Sequence, residues 1–269
     1  MFVFLAIMVI MFYFSVTGGT PNLIPFILVV IISFSIITIF LANHIYIGFV
    51  MMIIGGIFGF LTDFWGTSTN VFQYKPGTIT LVVLLSGKLG AGGVPFEIVA
   101  SYFFASMWLM QIIESIFDQE VEELIQYYQK GGKFMTSNLQ SIPALIVIII
   151  SIIMVSLNPI LIQPWGYFSI GVILTSFVPG NKKVIPIIFG ILVGFVGLFF
   201  ELFCTGEILP NAVIWTYENP DWGSDILYRA LIAYGGVGAS LASAFFLLLR
   251  IPFFRKEISF VRITSYLST

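Results

Sequence analysis

The sequence predicts an all-α integral membrane protein with about eight transmembrane helices in two parallel four-helix repeats, and three observations lead there. Of 269 residues, 59% are hydrophobic and 9% charged, and the mean hydropathy of +1.06 lies far above what a water-soluble domain carries. Long apolar runs recur along the chain, separated by turn chemistry such as Gly18-Gly19-Thr20-Pro21, Asn158-Pro159 and Pro179-Gly180-Asn181. A weak internal repeat relates the two halves: Gly56-x-x-Gly59-x-x-x-Asp63 matches Gly194-x-x-Gly197-x-x-x-Glu201.

The apolar runs place helices at 1–17, 22–43, 45–65, 94–117, 141–157, 159–178, 184–203 and 225–250. The first lacks the basic start and small-residue cleavage site of a signal peptide, so it reads as a retained span. Pro164, Trp165 and Gly166 interrupt the region of the fifth and sixth spans, a pattern that can mark a kink. Residues 1–117 form the first repeat, 118–140 a cytoplasmic amphipathic connector and 141–269 the second repeat. In the connector, Val121, Leu124, Ile125 and Tyr128 recur at helical spacing opposite Glu120, Glu122 and Glu123, which predicts a surface helix continuing the fourth span.

Eight crossings put both termini on one side. That side holds eight basic residues (Lys130, Lys133, Lys182, Lys183, Arg250, Arg255, Lys256, Arg262) against three on the other (Lys75, Lys88, Arg229), so both termini are expected in the cytoplasm of a cell-membrane protein. A net charge of −2 without a basic tract gives no electrostatic footprint for nucleic acid. One cysteine, Cys204, and one histidine, His44, exclude an internal disulfide and make Cys- or His-based metal centres unexpected.

The acidic residues carry the functional signal. Asp63 and Glu201 each follow about 15 apolar residues on a presumed helix, where a carboxylate is costly unless paired, hydrated or protonated. Each is followed by an aromatic-Tyr loop, Phe72-Gln73-Tyr74 in one half and Trp215-Thr216-Tyr217 in the other. Each loop leads to a helix opening with another acid, Glu97 or Asp225. Glu114, near the inner end of its helix, is expected to be solvated, and Glu207, Glu218 and Asp221 to lie in hydrated loops. A protonated carboxyl can protonate a carbon-carbon double bond, and aromatic faces stabilise the resulting carbocation. The catalytic candidates are therefore Asp63, Glu97, Glu201 and Asp225, with Phe64, Trp65, Tyr74, Phe96, Phe103, Trp215 and Tyr217 as candidate substrate-binding rings. For any single Trp or Tyr, interfacial anchoring is the competing reading. The paired glycines would let helix backbones approach closely or leave space for a flat ligand.

The run Asp63-Phe64-Trp65-Gly66-Thr67-Ser68-Thr69-Asn70-Val71-Phe72-Gln73-Tyr74, followed by Gly92-Gly93-Val94-Pro95-Phe96-Glu97 opening a helix rich in Phe and Trp, resembles the membrane carotenoid-biosynthesis proteins, both the carotenoid hydratases and the heterodimeric or fused membrane lycopene cyclases. The resemblance covers residues 55–110 and reaches 190–225 only through the repeat. The chain departs from the cyclases at Ile98, where they carry a second glutamate, and it has no Pro-hydrophobic-Glu segment in its second half; Asp63 stands where glutamate is common among the hydratases. The resemblance implies a proton-initiated reaction on a lipophilic polyene or isoprenoid, either hydration or cyclisation, with Asp63, Glu97 and Glu201 as acid and base. No dinucleotide fingerprint is present, so neither a flavin nor any other cofactor is expected. Two alternatives come from other classes. Asp221-x-x-x-Asp225 has a spacing that can hold magnesium for a diphosphate, as in a prenyl-transferring enzyme. Membrane acids in parallel repeats also suit a proton- or cation-coupled transporter, although coupling sites tend to lie nearer the bilayer midplane. A retinal-binding receptor is set aside because no expected helix contains a buried lysine.

Overall fold

The computed structural model describes residues 43–74, 83–84, 93–131, 146, 149–150, 153, 162–207, 213, 215–217 and 226–255. The spans expected at 1–17 and 22–43, and most of the one at 141–157, lie outside the described residues, as does Asp225. Six α-helices are described: α1 (Ile45–Ser68), α2 (Phe96–Ile116), α3 (Asp118–Gln129), α4 (Ile162–Ser176), α5 (Val184–Cys204) and α6 (Ile226–Leu248). Short 3-10 turns at Gly180–Lys183 and Pro252–Arg255 precede α5 and follow α6. Four helices, α1, α2, α5 and α6, are long and apolar enough to cross a membrane. Their exposed surfaces are rows of large apolar side chains, for example Ile53, Ile57 and Leu61 on α1 and Ile187, Ile191 and Phe195 on α5. Such faces fit a hydrocarbon solvent, in which only a self-satisfied backbone such as a helix is stable.

Ile162–Ser176 is one helix with Pro164 inside it, and the residues just before Ile162 lie outside the described ones. The connector helix begins at Asp118, with one residue between it and the end of the fourth span at Ile116. Phe117 leaves helical geometry (φ −116°, ψ 33°), while amide bonds from Phe117 to Ile113 and from Val121 to Phe117 carry the chain across the break. Val121, Leu124 and Tyr128 are buried along α3, following the amphipathic spacing. Two antiparallel strand pairs complete the described structure: β1 (Phe72–Tyr74) with β4 (Trp215–Tyr217), and β2 (Val83–Leu84) with β3 (Val94–Pro95).

The chain divides into two compact units. The first holds residues 52–105 and 199–225 of the described region and contains both strand pairs. The second holds residues 43–51, 106–198 and 226–255. Its core gathers Met110, Ile113, Leu124, Phe189, Phe245 and Phe246, all essentially buried. Here α6 packs on α4 and α5 through small residues. A methyl group at Gly171 would lie 2.7 Å from the Gly236 carbonyl oxygen, and one at Gly190 2.7 Å from that of Gly235. Adjacent glycines thus serve two partners, and Thr175 and Ser243 share a buried 3.0 Å hydroxyl hydrogen bond between α4 and α6. Close backbone approach of this kind substitutes for the hydrophobic drive that helices lack in lipid.

Glu114 corrects a further expectation. It is buried, not solvated, at 4% exposure, and its carboxylate accepts from His44 Nδ1 (2.7 Å) and from the backbone N–H groups of Asn43 (3.2 Å) and His44 (3.1 Å). The acid at the end of α2 therefore satisfies amides that the start of α1 leaves without helical acceptors, where negative charge also favours the helix dipole.

In the first unit, rings fill the glycine sites of α1. A methyl at Gly59 would lie 2.2 Å from Tyr102 Cγ, and one at Gly56 2.1 Å from Phe103 Cδ2. These glycines seat aromatic side chains of α2 and leave no room for a ligand at those points. Gly59→Ala is expected to lower stability by about 1–3 kcal/mol, the usual cost of overpacking. Thermal unfolding in detergent checks this, with Gly166→Ala, where a methyl meets none of the described residues within 4 Å, as a control expected to lose no stability.

Candidate active site

Asp63 and Glu201 occupy equivalent places near the C-terminal ends of α1 and α5, and both belong to the first unit. Four positions after each acid stands a threonine whose hydroxyl donates back to the carbonyl of the acid: Thr67 to Asp63 (2.8 Å) and Thr205, just past the end of α5, to Glu201 (2.9 Å). Each helix then ends through a left-handed residue, Asn70 at φ 55° and Gly206 at φ 86°. Such residues reverse the chain where the last carbonyls need partners. After α1 the reversal is closed by the Val71 amide on the Gly66 carbonyl at 2.9 Å, and Phe72 folds back against Gly66, where a methyl would lie 2.2 Å from its ring.

The two aromatic loops that follow pair with each other. β1 and β4 run antiparallel with Phe72 opposite Tyr217, Gln73 opposite Thr216 and Tyr74 opposite Trp215. Because side chains alternate across a strand, the four rings share one face and Gln73 and Thr216 take the other. The Phe72 and Tyr217 rings lie 6.2 Å apart, as do those of Tyr74 and Trp215, both near edge-to-face. Phe200, beside Glu201 in sequence, lies 6.0 Å from the Trp215 ring.

This face holds the acids. Asp63 is 4% exposed and accepts from the Tyr74 hydroxyl at Oδ2 (2.5 Å) and the Tyr102 hydroxyl at Oδ1 (3.0 Å). Glu201, also 4% exposed, accepts at Oε1 from Trp215 Nε1 (2.9 Å) and from the Tyr217 hydroxyl. The two acids thus bond to neighbouring rings of one ladder, Asp63 to Tyr74 and Glu201 to Trp215. Burial, then the neighbouring Asp63 charge, pushes the Tyr74 phenol well above its ordinary range; burial and Glu201 do the same for Tyr217. Both phenols therefore stay protonated and remain donors at neutral pH.

Of the expected site residues, Asp63, Glu201, Tyr74, Trp215 and Tyr217 come together. Phe103 lies on Gly56, Trp65 is half-buried, and Phe64 and Phe96 are exposed, at 38% and 44%. Glu97 is the second residue of α2. Tyr102, which donates to Asp63, is not among the residues singled out from the sequence. The shared Thr four residues after each acid was a further legible signal, extending the repeat to Gly-x-x-Gly-x-x-x-acid-x-x-x-Thr.

Comparison with protein-family models, curated proteins and solved structures finds no match.

The raised phenols fix a pH dependence. An unfolded tyrosine releases its proton near pH 10, while Tyr74 and Tyr217 in the folded chain hold theirs to higher pH. The unfolded state thus binds fewer protons above about pH 10, and stability falls as pH rises past that point. Thermal denaturation in detergent should show a melting temperature insensitive to these groups below about pH 9 and falling above about pH 10. The Tyr74→Phe/Tyr217→Phe double variant should lose part of that slope; an unchanged slope would remove the two phenols as its source.

Proposed function

We propose that this chain is a membrane enzyme of carotenoid or isoprenoid biosynthesis, which carries out proton-initiated, redox-neutral hydration or cyclisation of a lipophilic polyene. The observation that carries the reading is the pairing of two buried carboxyls, one from each half, across a single aromatic ladder. Burial gives such an acid a reason to hold a proton, and the rings supply a surface that tolerates a cation. The resemblance of residues 63–74 and 92–97 to the carotenoid proteins supports the same chemistry. One carboxyl delivers a proton to the double bond. The cation then either attacks a neighbouring double bond and loses a proton, or takes up water and loses a proton to a base. Glu97 and Asp225 remain our candidates for that base, and Phe64, Trp65, Phe96 and Phe103 our candidates for wider contact with the polyene. The prenyl-transfer alternative rests on Asp221 and Asp225, both outside the described residues.

For the architecture we propose eight spans in two parallel repeats, with the termini in the cytoplasm. Four observations support it. The β1–β4 ladder requires an even number of crossings between its strands. The Lys182–Glu123 ion pair at 2.5 Å between its partners fits the same parity, with α4 and the expected span at 141–157 as the two proposed crossings between them. Ile146, Ile149, Ile150 and Ile153 in that stretch are helical, exposed and at helical spacing. Finally, the ring seated on a glycine recurs in the second half, where a methyl at Gly197 would lie 2.1 Å from Tyr234 Cγ.

Expression in a lycopene-producing host, followed by mass spectrometry of the extracted pigments, tests the activity. A gain of one water indicates hydration, and unchanged mass with altered retention indicates cyclisation. Asp63→Asn should abolish conversion and Glu201→Gln should lower it at least ~100-fold, the scale of a lost general acid or charge partner. Unchanged pigment with well-folded wild-type protein in the membrane, or full activity in both variants, would refute the assignment.

A further inference from the structure

Two helix pairs meet through the same contact. On α1, Gly59 stands four residues before Asp63; on α5, Gly197 stands four residues before Glu201. A methyl at either glycine would run into the Cβ, Cγ and Cδ2 atoms of a tyrosine, Tyr102 of α2 at Gly59 and Tyr234 of α6 at Gly197. The direction of the two pairs agrees as well. Phe103 covers Gly56 and Tyr102 covers Gly59, while Ala239 covers Gly190 and Tyr234 covers Gly197, so position falls on one helix as it rises on the other. Between these points the pairs diverge. Gly194, the counterpart of Gly56, meets the Leu231 backbone carbonyl oxygen at 3.0 Å where Gly56 meets a ring. A glycine seat thus accepts either a ring or bare backbone, and packing alone does not call for a phenol at Gly197. A phenol also brings a hydroxyl into an apolar span, where it costs free energy unless it has a partner. In the first half its use is visible: the Tyr102 hydroxyl donates to Asp63 Oδ1 at 3.0 Å. Four residues of helix rise about 6 Å, a distance that a tyrosine side chain spans.

From this repetition we infer that Tyr234 is the second-half counterpart of Tyr102, a positioning residue whose phenol, held by Gly197, serves the turn of α5 that bears Glu201. Its use rests on the proposed polyene chemistry, whereas its placement does not. Neither tyrosine gives or takes a proton in that chemistry. Each fixes the direction of a carboxyl, and direction matters because a misplacement of about 1 Å can cost about 100-fold in rate. Each half then carries the same set: a glycine, a phenol seated on it, an acid one turn on and a threonine one turn further.

Tyr234→Phe tests this, because it keeps the ring on its glycine and removes only the hydroxyl. Melting temperatures of the purified full-length protein in detergent are compared for Tyr234→Phe in the wild-type and Glu201→Gln backgrounds, and for Tyr102→Phe in the wild-type and Asp63→Asn backgrounds. Each exchange should lower the melting temperature in the wild-type background and by clearly less where the acid is already an amide, the mark of coupled residues and of a lost charge-assisted bond. Tyr46→Phe, at an exposed ring, should change nothing in either background. Should Glu201→Gln fail to fold, Glu201→Asp provides the background, and its shorter side chain should weaken the coupling in the same sense. An equal loss for Tyr234→Phe in both backgrounds, or no loss in either, overturns the inference. Initial rates in lycopene-loaded proteoliposomes separate it from the polyene reading. Tyr234→Phe should slow conversion about 10-fold or more with little change in KM, and a rate equal to that of an active wild type overturns the inference too. Coupling in a wild-type protein that converts no polyene would leave the positioning role standing and remove the polyene reading. Conversion at the wild-type rate without coupling would do the reverse.

Discussion

A carboxylate buried at the end of a membrane helix needs hydrogen-bond donors, and the described structure meets that need with phenols and an indole. Placing Asp63 and Glu201 at 4% exposure would be costly if they were unpartnered. The donors described for them do not come from the helices that bear the acids. They come instead from Tyr102 on α2 and from the two strands, which fold back over the helix ends after Asn70 and Gly206. The β1–β4 ladder is thus the element on which the site depends. Its backbone pairing fixes the register, and its register sets four rings on one face.

The same logic explains the placement of small residues. On α1 the glycines at 56 and 59 accept the rings of Phe103 and Tyr102, and the seat at Gly59 is part of what aims the Tyr102 hydroxyl at Asp63, one helical turn along. In the second unit, Gly235 and Gly236 instead admit backbone against backbone. One residue type serves ring placement in one setting and helix approach in the other. Glu114 shows that a buried acid need not be catalytic: with two amides and His44 as partners, it holds a helix start in place.

Much of this was legible in the sequence. Hydropathy located the four long helices, and the Gly-x-x-Gly-x-x-x-acid repeat with its aromatic-Tyr loops identified both acids, Tyr74, Trp215 and Tyr217. The pairing of the loops was not legible, since a three-residue strand carries too little periodicity to announce a partner 140 residues away. Tyr102 was obscured for a related reason: its role depends on the cross-helix seat at Gly59, and a Tyr in a helix rich in Phe and Trp carries no local mark. Glu114 was misread as solvated because position near a helix end suggests access to water, whereas the amides preceding α1 claim it.

The two loops lie strand against strand and so bring the two acids onto one ladder. Gln73 and Thr216, paired on the face away from the rings, allow a direct measurement. Facing residues of an antiparallel pair have Cβ atoms about 4.5–5.5 Å apart, close to what a disulfide spans. With both replaced by cysteine, and Cys204 the sole native thiol and buried, mild oxidation in native membranes followed by mass spectrometry of the digested protein should recover a 73–216 cross-linked peptide in high yield, with little in a Gln73→Cys/Thr62→Cys control. Absence of the 73–216 cross-link under conditions where both thiols react freely with a maleimide would contradict the account.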